Sequence, residues 1–254
     1  MKAKTIFFIL IVFYPVIQVS AQGVSEAMEA IFMKDYEKAS EIINSGIDVN
    51  EKHRDSYLLN VACYRGNLEL VQLLLNNGAD VNVVAGDGAT PLVWAGKGDK
   101  TGEIVSLLLQ KGAKIGAENK LGTSAFDNAA RSYCSSKTPP SMEVLKILAD
   151  HGADVDNPIP EGDAEGYTNL TAAIVWDKIE LVKFLIDRGA DINIAAADGN
   201  TPLMAACREG NLAIVKLLIN EGANTEPVNN KSETALQLAE KNEHQEIVEY
   251  LNHR

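Results

Sequence analysis

The feature that most constrains this chain is that it repeats itself. The segment from Ala197 to Pro227 reads as a turn, a short helix, a turn, a longer helix and a turn. Asp198-Gly199 is a turn dipeptide. Thr201-Pro202 then sets proline at a first helical position, where its missing N–H would have no partner anyway. Gly210-Asn211 breaks the chain, and Leu212, Val215, Leu218 and Ile219 follow at helical spacing. Gly222 supplies the residue that closes a helix in the left-handed conformation. Aligned on Thr201, the equivalent residues are Ser25, Tyr57, Thr90, Ser124, Thr168, Thr201 and Thr234, at intervals of 32, 33, 34, 44, 33 and 33 residues. The closing glycine recurs as Gly46, Gly78, Gly112, Gly152, Gly189 and Gly222. One helix pair cannot bury its apolar faces alone. Stacked copies can, so the period dictates a row of layers that contact their neighbours.

A period of about 33 residues around T-P-L-x-x-A, best seen as TPLVWA at 90–95 and TPLMAA at 201–206, resembles the ankyrin repeat. The resemblance runs from Ser25 to the C-terminus. It implies an all-α ankyrin-repeat solenoid of about seven helix-turn-helix units with β-hairpin-like turns, occupying 22–254. Units start near 25, 57, 90, 124, 168, 201 and 234, and polar residues mark the first and last as caps. The family carries His at the fourth position of the first helix. Here that position holds Met28, Asn60, Val93, Asp127, Thr171, Met204 or Gln237, which weakens a structural hydrogen bond and leaves the fold intact.

Residues 1–21 differ in kind. Lys2 and Lys4 precede an apolar run from Ile6 to Ile17, and Val19-Ser20-Ala21 suits cleavage after Ala21, the layout of a secretory signal peptide. The run is shorter than the ~20 residues of a spanning helix. The mature chain is therefore expected to start at Gln22, without a membrane segment, in the periplasm or outside the cell. The net charge of −12 becomes −14 when Lys2 and Lys4 leave. That acid excess argues against nucleic acid as a partner.

The 44-residue interval holds two insertions, Cys134 to Pro140 and Asn157 to Glu165. Inserted loops in repeat proteins often lie on a binding face. Cys63 and Cys207 occupy equivalent helix positions four units apart, too far to pair, and read as core filler. Cys134, at the start of an insertion, is expected to be exposed and is the candidate for an intermolecular disulfide in an otherwise monomeric protein.

Residues for catalysis do not converge. His53, His151, His244 and His253 lie in separate units or in the tail and read as structural, and none has a metal-ligand partner one helical turn away. GKGDKTG at 96–102 lacks the order and the strand of a phosphate loop. Asp154, Asp156, Glu161, Asp163 and Glu165 form an acidic loop without EF-hand spacing. No enzyme activity, cofactor or metal is expected.

What the resemblance implies instead is protein binding on a concave face, lined by hairpin tips and the exposed side of each first helix. The last positions of these helices are Phe32-Met33, Tyr64-Arg65, Lys97-Gly98, Arg131-Ser132, Val175-Trp176, Arg208-Glu209 and Lys241-Asn242. The second helices share an acidic position: Glu37, Glu69, Glu103, Glu143, Glu180 and Glu246. The expected site comprises Tyr64, Arg65, Lys97, Arg131, Tyr167, Trp176 and Arg208, with Trp176 as an exposed anchor and Tyr167, Arg131 and Arg208 as its rim. Trp94 is expected in the core. The function read from these features is an exported protein-interaction module with an unidentified protein partner. The alternatives are a secreted effector acting on a host protein, or a ligand-binding or enzymatic protein using the 134–140 and 157–165 loops.

Overall fold

The computed structural model describes residues 22–97, 101–135, 142–158 and 166–253. The leader and most of both insertions lie outside them. The chain divides after Lys120 into two compact units. The first holds α1 (22–32), α2 (Tyr36–Asn44), α3 (Leu58–Arg65), α4 (Leu68–Asn76), α5 (Pro91–Ala95) and α6 (Gly102–Gln110). There α3 packs on α5, while α4 packs on both α2 and α6. The second unit holds α7 (Ala125–Ser135), α8 (Glu143–Asp150), α9 (Asn169–Val175), α10 (Ile179–Asp187), α11 (Pro202–Glu209), α12 (Leu212–Asn220), α13 (Ala235–Lys241) and α14 (Gln245–Asn252). First helices again form one layer, α7 on α9 on α11 on α13, and α12 packs on α14.

Local chemistry sets these boundaries. Thr90, Thr168, Thr201 and Thr234 each accept from the backbone N–H three residues on, capping α5, α9, α11 and α13. Asn67 and Asn211 do the same for α4 and α12. Gly78, Gly112, Gly152, Gly189 and Gly222, which follow the second helices, all have φ between 82° and 92°, the conformation that glycine adopts without a Cβ clash. Within the second helices the same three positions are buried each time: Leu70, Val71 and Leu74; Ile104, Val105 and Leu108; Val144, Leu145 and Leu148; Leu181, Val182 and Leu185; Ile214, Val215 and Leu218. Each such side chain contributes roughly 1.5–3 kcal/mol. Only Ile247 is buried on α14, and only Ala39 and Ile43 on α2.

The turns form no extended strand among the described residues, only isolated bridge residues such as the pair His53 and Ser56. The expected hairpins are instead held from the side. Asp87 and Asp198 carboxylates accept within their own turns, from Ala89 and Asn200. Backbone bonds join one turn to the next, Gly86 to Asp55 at 2.6 Å, Lys120 to Asp87 at 2.8 Å and Asn230 to Asp198 at 3.0 Å.

Side-chain staples join successive units at the closing glycine. Asn50 donates to the Gly78 carbonyl and accepts from Asp80 N–H, and Asn82 does the same with Gly112 and Lys114. Asp156 stands at the equivalent place and accepts from Asp191 N–H, but a carboxylate has no hydrogen to donate, and its Oδ1 is buried without a partner. Burial is the main cause that raises the Asp156 pKa above its ordinary 3.8. Asp156→Asn should therefore stabilise the protein by about 0.5–1 kcal/mol near neutral pH. The folded state binds the extra proton, so the Asp156 cost is fully present above the raised pKa and vanishes below 3.8. Urea denaturation of both proteins should show the gain shrinking as pH falls through that window.

All three cysteines are buried and free. This corrects the expectation for Cys134. α7 continues to Ser135 and carries Cys134 into its packed face, where burial pushes the thiol up to about 11. A buried protonated thiol is a poor partner for an intermolecular disulfide. Cys207 is pushed up to about 12 by the same cause.

Candidate protein-binding surface

Seven large apolar side chains are exposed among the described residues, and four of them, Phe32, Met33, Tyr64 and Trp176, sit at the ends of first helices. Exposed apolar surface gathered at one structural position is the usual mark of a contact surface.

In the first unit these ends touch one another. The Arg65 guanidinium lies 5.2 Å from the Phe32 ring centre and 6.0 Å from that of Tyr64, and its Nη2 donates to the Phe32 carbonyl at 3.2 Å. The Tyr64 ring meets Trp94 edge-to-face at 5.6 Å, and Lys97 Nζ lies 5.5 Å from the Trp94 ring. Phe32, Arg65, Tyr64, Trp94 and Lys97 thus form a ladder of rings and cations. A cavity of about 410 Å³ opens beside Phe32, with Met28, Glu29 and Arg54 in its lining. Arg54 is held at a turn tip with φ 46°.

Trp94 corrects a second expectation. It is half-buried rather than core. The equivalent positions in other units hold Glu29, Val61, Asn128, Ala172, Ala205 and Leu238, all smaller than an indole. The ring lies over Tyr64, with its Nε1 covered and without a hydrogen-bond partner.

In the second unit Trp176 stands 55% exposed at the C-cap of α9. Arg131 is exposed on α7. Tyr167 is buried, and its hydroxyl accepts from Arg208 Nη2 at 3.2 Å, while Arg208 Nε donates to Glu209 at 2.9 Å. Tyr167 and Arg208 thus satisfy each other within the unit. Trp94→Ala should cost about 1–2 kcal/mol, less than a fully buried Trp. Trp176→Ala should stay within about 0.5 kcal/mol of wild type. Paired thermal melts read both.

At the position where the family carries His, several side chains make hydrogen bonds of their own. Asn60 donates to the Ala89 carbonyl, and Gln237 accepts from Thr234 N–H. Asp127 goes further. Its buried carboxylate accepts from Ser124 N–H, Ser124 Oγ, Asn157 Nδ2 and Asn169 Nδ2 at 2.7–2.8 Å. Two histidines make bonds that hold the fold: Nε2 of His244 donates to the Arg208 carbonyl at 3.0 Å, and Nδ1 of His151 donates to that of Ile147 at 2.7 Å. The acidic position of the second helices falls in their first turn, where negative charge meets the positive end of the helix dipole. The described residues contain no group of three or more His, Cys, Asp or Glu placed to hold a metal, and no helix among them is long and apolar enough to cross a membrane.

Short helix pairs in two layers, joined through stapled turns, define a repeat scaffold whose exposed apolar groups gather at helix ends. The chain belongs to the ankyrin repeat family: the family model for ankyrin repeats matches three times, at 27–119, 102–196 and 193–254. The chain is 28% identical to the human ASB11 ankyrin repeat domain, with a TM-score of 0.71 over 87% of this chain and 96% of that one. The ankyrin repeat domain of Bcl-3 shares the fold at a TM-score of 0.70 and 22% identity, over 84% of this chain and 93% of that one. Among whole proteins, the chain is 32% identical over 136 residues to the ankyrin repeat domain-containing protein SAT10 of Stachybotrys chartarum. It is 31% identical over 145 residues to the transient receptor potential cation channel subfamily A member 1 homolog of Caenorhabditis elegans. These matches cover 54% and 57% of this chain but only 6% and 11% of the relatives.

Proposed function

We propose that the protein is an exported protein-interaction module, acting in the periplasm or outside the cell, whose partner docks on the exposed ends of the first helices. The observation that carries the reading is the recurrence of exposed Phe32, Met33, Tyr64 and Trp176 at the last two positions of first helices. Interface hot spots are enriched in aromatic residues and Arg. Export rests on the leader read in residues 1–21. Intact-mass analysis of protein from its own host should give a chain starting at Gln22, and retention of residues 1–21 would contradict export by this route. Docking is tested by cross-linking mature protein to partners in the native host. Tyr64→Ala and Trp176→Ala should each reduce capture while leaving the fold intact. Capture indifferent to both would remove the helix ends from the interface.

A further inference from the structure

The first unit carries a pattern of charge that its own chain leaves unanswered. Five cations among the described residues pair with carboxylates: Lys52 with Asp55, Lys183 with Glu180, Arg188 with Asp150, Arg208 with Glu209 and Lys241 with Glu233. Among the described residues, Arg54, Arg65 and Lys97, like several other cations, have no such pair, and the chain holds 35 acidic residues against 23 basic ones. Arg65 and Lys97 are instead held over aromatic rings, an arrangement that fixes a cation in place and leaves its charge to be met from outside. The order along the surface matters too. Arg65 stands between Phe32 and Tyr64, and Trp94 stands between Tyr64 and Lys97. A ligand that follows this surface meets a ring, a cation, two rings and a cation.

Resting on the interaction-module reading above, we propose that the first unit binds an extended segment of another protein in which carboxylates alternate with apolar side chains. The carboxylates meet Arg65 and Lys97, with Arg54 at the end of the row. The apolar side chains rest on Phe32, Tyr64 and Trp94, and one of them enters the cavity beside Phe32. Bare acidity would leave the rings exposed, and bare apolarity would bury the cations uncompensated. Rings and cations also suit single-stranded nucleic acid, but a chain of net charge −12 repels phosphates over its remaining surface.

The test uses Trp94 as its reporter. In a Trp176→Phe protein Trp94 is the sole tryptophan. That protein is titrated with three probes: a synthetic peptide of alternating Glu and Leu, its Lys-Leu counterpart, and oligouridine. The Glu-Leu peptide should shift Trp94 emission saturably, and binding should weaken as salt rises. Lys97→Glu, on an exposed side chain, should weaken it by about tenfold or more, and Arg65→Gln should do likewise. No response to Glu-Leu, an equal response to Lys-Leu, or indifference to both substitutions would overturn the proposal, and a response to oligouridine alone would give the site to nucleic acid. If partners are captured through Tyr64 in the native host but the Glu-Leu peptide does not bind, this inference fails and the proposed function stands. If Glu-Leu binds but no host protein is captured, the proposed function fails instead.

Discussion

Replacing Asp127 with alanine should lower stability by about 3–4 kcal/mol. The carboxylate accepts four hydrogen bonds from Ser124, Asn157 and Asn169 and is itself buried. Asn169 is buried as well. Alanine leaves those donors facing each other with nothing to accept them, and water has poor access to replace the oxygen atoms. Asp127→Asn should cost only about 1 kcal/mol, because one amide oxygen can keep the bonds to Ser124 and Asn157 and only the Asn169 contact turns unfavourable. Equal losses for the two variants in urea denaturation would show that the hub is not what holds the loop at 157 against the start of α7.

Deleting residues 232–254 should have the second large effect. The cut removes α13 and α14, which cover α11 and α12, and with them buried Ala235, Leu238, Ala239 and Ile247. The unit beginning at Thr201 lacks the polar outer face that a terminal repeat needs. The shortened chain should aggregate on expression. A soluble product with an unchanged melting temperature would contradict the stacking account.

The architecture was legible because its signals are local and recur. Threonine caps, closing glycines and the buried trio of the second helices lie at fixed offsets, so an error in one unit is corrected by the next. What was not legible depends on contacts between units. Asp127 is separated by 30 and 42 residues from Asn157 and Asn169, and no local pattern announces that the starts of α7 and α9 and the loop at 157 meet there. Position alone points Trp94 inward, but no other unit carries a side chain as large as an indole at that place, and the ring stays half-buried. Ser and Pro after Cys134 read as a loop, yet helix α7 runs on to Ser135 and buries the thiol. At the candidate surface, Tyr64, Arg65 and Lys97 could be placed at helix ends from the sequence. Their assembly with Phe32 and Trp94 into one ladder depends on packing between successive repeats. The sequence points Tyr167 and Arg208 toward a partner, whereas the fold turns them toward each other.

The most direct test of the central claim, that partners dock on the exposed ends of the first helices, is hydroxyl-radical footprinting of the mature protein, free and in complex with a partner cross-linked in its own host. The account predicts protection of Met33, Tyr64 and Trp94 in the complex, with the exposed loop residues Val84 and Val228 unchanged. Protection confined to those loops or to the outer surface of the second helices, with Met33, Tyr64 and Trp94 oxidised as fast as in the free protein, would contradict it.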